Sequence, residues 1–168
     1  MNFSVKLQNF LRSGEEFFLL KIFLVIELEN FISVIFFGFL FLIAWIDFKT
    51  LMIYDKILLP MALVGIFFDA CNLLVNLQDA ILFSALGFIL MFVIFKISRE
   101  GMGGGDVKFS AVLALWLGEK IFSAIFFASI FAALFAIIFL LKKRGVKKLK
   151  LPFAPFLSAG SFFAYLIS

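Results

Sequence analysis

Residues 107–141 form a run of 35 in which only Lys108, Glu119 and Lys120 are charged. At 1.5 Å per residue a single helix over that run would be roughly 52 Å long, far beyond the about 30 Å of hydrocarbon in a bilayer. Gly118-Glu119-Lys120 offers the one place to divide it. The run therefore reads as two crossings, 107–117 and 121–141, of which the first is short. Comparable apolar runs lie at 31–46, 57–77, 80–97 and 151–167, with Asp47 closing the first and Asn76, Gln78 and Asp79 turning the second into the third. Residues 1–16 are polar, and 17–30 mix a short apolar stretch with Lys21, Glu27 and Glu29. That stretch has no small-residue cleavage site after it, so it reads as an interfacial helix and not as a removable leader. The expectation is an all-α, polytopic membrane helix bundle of about six transmembrane helices, divided into an amino-terminal segment, 1–30, and a membrane-embedded domain, 31–168.

Composition excludes a soluble domain: 65% of residues are hydrophobic, 28 are Phe and 15% are charged, against about 25% charged in soluble proteins. A net charge of +4 could suit nucleic acid, but the basic residues gather in short connectors. Lys49 and Lys56, then Lys96, Arg99 and Lys108, then Lys142, Lys143, Arg144, Lys147, Lys148 and Lys150 fall on one side of the expected topology. The connectors on the other side hold Lys120 alone. Such a bias encodes orientation and assigns the basic side to the cytoplasm. The expected partners are the lipid bilayer and a peptide substrate, with no nucleic acid. Cys71 is the only cysteine and histidine is absent, so a disulfide framework or a Cys/His zinc site cannot be built within one chain. No cofactor is expected.

In this topology Asp47, ending the first span, and Asp106, opening the fourth, share one membrane boundary. Asp106 follows Gly101-Met102-Gly103-Gly104-Gly105, a run whose missing Cβ atoms permit positive φ and close approach of another segment. Acidic groups at the edge of hydrocarbon are costly and mark functional sites by default. Two carboxylates brought within a few Å share a proton, one serving as base and the other as acid. That division suits peptide hydrolysis by an activated water. Other readings stand beside it. Each Asp could cap its helix or pair with Lys49 or Lys108, two residues further on. The chain could be a non-catalytic scaffold, or a small proton-coupled transporter using Asp47, Asp69 and Asp106. Asp69, Asn72 and Asn76 are spaced as a polar stripe along one helix and suit hydrogen bonding between helices.

The residues from 101 to 109, Gly-Met-Gly-Gly-Gly-Asp-Val-Lys-Phe, with the later Trp116-Leu117-Gly118, resemble the glycine motif of the prepilin leader peptidases, membrane aspartic proteases of the G-x-G-D type. Asp47-Phe48-Lys49-Thr50-Leu51-Met52-Ile53-Tyr54-Asp55 is similar to that family's other aspartate motif. Pro152-Phe153-Ala154-Pro155-Phe156, with Gly160, resembles the segment opening its last helix. The resemblance implies that Asp47 and Asp106 are the catalytic pair, with Gly101, Gly103, Gly104, Gly105 and Lys108 supporting the active-site loop. It implies as substrates the basic leader peptides of prepilins or pseudopilins, cut on the cytoplasmic face of a prokaryotic inner membrane. Tyr54 stands where the family usually has proline, so a looser turn is expected after Asp47. With Cys71 alone, the paired-cysteine module of many bacterial members is not expected, and the enzyme reads as a peptidase without methyltransferase activity.

Overall fold

The structure, a computed structural model, describes residues 3–71, 73–98, 102–142 and 152–167, and every element among them is helical. The helices are α1 (Phe3–Thr50), α2 (Asp55–Ala70), α3 (Leu77–Ile97), α4 (Gly104–Leu117), α5 (Ile121–Lys142) and α6 (Ala154–Leu166), with a 3-10 turn, Gly118–Lys120, between α4 and α5. The chain divides into two compact units, Met1–Phe36 and Phe37–Ser168. The first consists of the amino-terminal part of α1, where Ser33 Oγ donates to Glu29 O at 2.8 Å. The second holds the rest of α1 and all other helices.

No break separates the expected interfacial helix from the first span. α1 contains no proline, and nothing around Asn30 forces the backbone out of its helical ladder. Among the described residues, three stretches, Ile26–Thr50, Leu77–Ile97 and Gly104–Phe139, are long and apolar enough to cross a membrane. The chain is an integral membrane helix bundle. Within the second unit, Phe41, Leu63, Phe126 and Ile137 are among the large apolar side chains left exposed, a surface suited to lipid.

Cross-helix contacts fix the directions of the helices in the second unit. Along α6, Phe156 meets Phe135 at 5.4 Å between ring centroids, and Phe163 meets Phe131 at 5.3 Å and Phe127 at 6.3 Å. Numbers rising on α6 fall on α5, so the two are antiparallel. α6 is likewise antiparallel to α1: Ala154 meets Asp47, Ser158 Oγ donates to Leu40 O at 3.3 Å, and Phe162 rests on Phe37 at 5.2 Å. α2 and α4 run parallel, Asp55 meeting Lys108 at their starts and Met61 O accepting from Trp116 Nε1 at 3.1 Å further along. The end of α1 and the starts of α2, α4 and α6 thus converge.

α4 starts at that end and α5 returns to it, so residues 107–141 double back at Gly118, where the sequence offered a break. Gly118 has φ +57°, where a side chain would be strained, and its missing Cβ would stand 3.2 Å from Val75 Cγ2. α4 is the central helix, with Val107, Phe109, Ser110 and the whole of its last turn buried. α3 packs on it closely enough for Ser84 Oγ to reach Ala111 O at 2.9 Å and for Ser110 Oγ to reach Gly87 O at 3.3 Å.

α2 is shorter than the expected span 57–77. It stops at Ala70 because Asp69 Oδ1 accepts the Val75 N–H at 3.1 Å, a side-chain bond that competes with the helical ladder and closes the loop. Asn76 sits just before α3 and not within α2, and Asn72 lies outside the described residues. The polar stripe is not formed, and Asp69 bonds to its own loop.

Candidate active site

Asp47 lies in the last turn of α1 and Asp106 in the first turn of α4, where each is nearly buried, at 4% and 5% exposure. They reach one end of the bundle because α1 arrives there as α4 leaves. The two carboxylates are near enough to interact electrostatically. Each is oriented by one backbone amide. Asp47 Oδ2 accepts from Ala154 N–H, at the start of α6, at 3.2 Å. Asp106 Oδ2 accepts from Gly103 N–H at 3.1 Å, while its own N–H donates to Gly103 O at the same distance. Both carboxylates therefore lie where unsatisfied helix N–H groups and the positive end of a helix dipole favour an anion. Asp106 Oδ1 is buried without a hydrogen-bond partner, as is Asp69 Oδ2.

The glycine run works through close approach. Gly118 is the only glycine with positive φ among the described residues, so Gly103, Gly104 and Gly105 do not use left-handed backbone. A Cβ at Gly105 would lie 2.9 Å from Ile53 Cβ, and one at Gly103 would lie 3.3 Å from Asp106 Oδ2. Gly104 has nothing within 4 Å of its missing Cβ, and no steric reason for glycine is seen there. Gly101 lies outside the described residues. Replacing Gly105 by Ala must displace Ile53, and with it the link from Asp47 to α2. Any activity that depends on the two carboxylates is expected to fall about tenfold or more, a loss typical of angstrom-scale misplacement. Initial rates, set against the thermal midpoint, check this.

The lysines do not neutralise the pair. Lys108 Nζ contacts both oxygens of Asp55, at 2.9 and 2.8 Å, and Lys49 Nζ sits 4.5 Å from the centroid of the Trp45 ring. Sequence reasoning placed Lys108 in the active-site loop but missed Asp55 as its partner. It also missed the Ala154 amide, since a backbone donor leaves no mark in a residue pattern. Asp69 is fully buried at the far end of α2, about 21 Å along the helix from Asp55. The structure brings Asp47 and Asp106 together without it.

After Asp47 the chain turns sharply. Leu51 has φ +53°, the left-handed position that follows many helices and usually falls to glycine. Its side chain is half exposed, so little burial is lost on truncation. Leu51→Gly is expected to stabilise the protein by about 1 kcal/mol through relief of this conformation, read as a rise in thermal midpoint.

A model of the type IV leader peptidase family matches residues 34–138 of the chain. Among curated proteins, the chain is 37% identical over 148 residues to the prepilin leader peptidase/N-methyltransferase of Bacillus subtilis (strain 168), covering 84% of this chain and 57% of that protein. It is 30% identical to the protein of that name from Pectobacterium carotovorum subsp. carotovorum, covering 81% and 51% of the two chains. Identity to the protein of that name from Escherichia coli (strain K12) is also 30%, with coverage of 76% and 59%. The chain spans about half the length of these relatives. No solved structure matches it.

Proposed function

Because the chain belongs to the type IV leader peptidase family, we propose that it is a membrane aspartic endopeptidase that removes the leader peptide from type IV prepilins or pseudopilins. One observation carries the reading: two nearly buried carboxylates from distant parts of the chain, Asp47 and Asp106, stand at one end of the bundle within electrostatic reach of each other. Two interacting carboxylates hold one proton between them. The ionised member takes a proton from a water, whose oxygen attacks the scissile carbonyl. The protonated member gives a hydrogen bond to the oxyanion that forms and, as the C–N bond breaks, passes its proton to the leaving amine, while the first carboxylate keeps the proton taken from water. Asp106 Oδ1, without an internal partner, is suited to face that water.

The orientation follows from charge. Lys49, Lys56 and Lys108 belong to the end of α1 and the starts of α2 and α4, the end that carries the carboxylates, whereas Lys120 lies in the turn between α4 and α5. The preference of basic residues for the cytoplasm supports a site facing the cytoplasm of a prokaryotic inner membrane. A leader rich in Lys or Arg would meet it from that side.

Incubating the purified protein with prepilin leader peptides and weighing the products tests the proposal. Two fragments from a single cut at the leader boundary are expected; intact peptide after prolonged incubation would sink the reading.

A further inference from the structure

The short link from α1 to α2 is held in three ways. Leu51 turns it through a left-handed conformation, Ile53 seats it where a Cβ at Gly105 would collide, and Asp55 is gripped through both oxygens by Lys108. The last two contacts join opposite arms of the site, since Asp55 follows Asp47 through the link and Lys108 follows Asp106 within one turn of α4. We propose that Asp55 and Lys108 act as a positioning clip that seats residues 51–54 against the glycine turn and so sets the gap between Asp47 and Asp106. The proposal rests on the peptidase reading and deepens it.

The pair lies in the open, with side-chain exposures of 71% for Asp55 and 57% for Lys108. An exposed pair adds little to global stability and weakens as salt screens it. Its leverage comes from location, because a reacting geometry tolerates little displacement. The Thr50 hydroxyl lies within hydrogen-bond reach of both Ile46 O and Met52 O, at 2.9 and 3.1 Å, which stiffens the α1 side of the link and leaves the clip to hold the other. Asp55 and Lys108 touch neither Asp47 nor Asp106 in the contacts they make, so they are positioning residues and their effect belongs in turnover.

The test uses the purified full chain and a leader peptide. Asp55→Asn and Lys108→Met are each expected to lower kcat about five- to tenfold with little change in KM, the double variant being no worse than either single one. Lys108→Arg keeps the paired contacts and is expected to retain most activity. Raising salt from about 0.1 to about 1 M, which shrinks the screening length from about 10 to about 3 Å, should lower turnover of the unsubstituted protein and leave Asp55→Asn unaffected. A second readout needs no turnover. In a Cys71→Ser background, the thiol of Ile53→Cys, seated against Gly105, should be alkylated slowly, and adding Asp55→Asn should speed alkylation severalfold. A rise in KM at constant kcat, a turnover insensitive to salt, or an unchanged alkylation rate would overturn the clip. Failure of the unsubstituted chain to cut any leader overturns the peptidase reading and the clip's catalytic role with it. The alkylation rates distinguish that failure from failure of the clip alone.

Discussion

Asp106→Asn is expected to lower leader cleavage at least about a thousandfold, within the range that a positioned acid or base contributes. The side chain keeps its size, and its amide oxygen can still accept the Gly103 N–H. The first turn of α4 should therefore survive, and a thermal midpoint close to that of the unsubstituted protein separates lost chemistry from lost fold. Asp47→Asn should behave alike, since an amide oxygen can still accept from Ala154 N–H at the start of α6. Combining the two should cost little more than either alone, because two carboxylates sharing one proton act as a unit and their removal is not additive. Asp69→Asn is the comparison. Its oxygen can still accept the Val75 N–H at the far end of α2, and cleavage should stay within about twofold of normal, as for a group outside the reacting unit. Loss of function in Asp69→Asn alone would instead favour a proton path.

The second large effect lies away from the carboxylates. A Cβ at Gly160 would press into the carbonyl oxygen of Ala124 and stand 2.7 Å from Ala128 N, both backbone atoms that no rotamer change can move. Gly160→Val must push α6 off α5 and is expected to cost about 3 kcal/mol or more, the upper range for overpacking a filled core. Activity should fall with it, since the helix that tilts also carries the Ala154 amide to Asp47. Gly38→Ala provides the contrast. Nothing lies within 4 Å of its missing Cβ, and a glycine inside a helix gains up to about 1 kcal/mol on becoming alanine. Thermal unfolding of both variants in one detergent reads the difference.

Much of this arrangement is legible in the residue pattern. The division of residues 107–141 follows from length against bilayer thickness, and Asp47 and Asp106 share one end because crossings alternate. What escapes the pattern involves groups with no periodic signature. The stop of α2 at Ala70 depends on Asp69 choosing the Val75 amide over a neighbouring helix. The continuity of α1 through residue 30 reflects the absence of any breaker, which polarity alone does not report. The glycines before Asp106 suggested left-handed backbone, whereas among the described ones, Gly103 to Gly105, none has positive φ and Gly105 is needed because Ile53 comes close. Lys108 looked like a partner for its near neighbour, yet it reaches Asp55 on another helix.

α4 and α6 hold 14 and 13 residues, about 21 and 20 Å of helix, roughly a third less than the hydrocarbon slab. Such a mismatch is met by a local dimple in the lipid or by recession of the helix starts beneath the headgroups. Either way the start of α4, with Asp106 in its first turn, would lie below the general membrane plane. Under the proposed function, a substrate whose apolar stretch stays among the acyl chains would offer its juxtamembrane bond to water without being pulled from the bilayer.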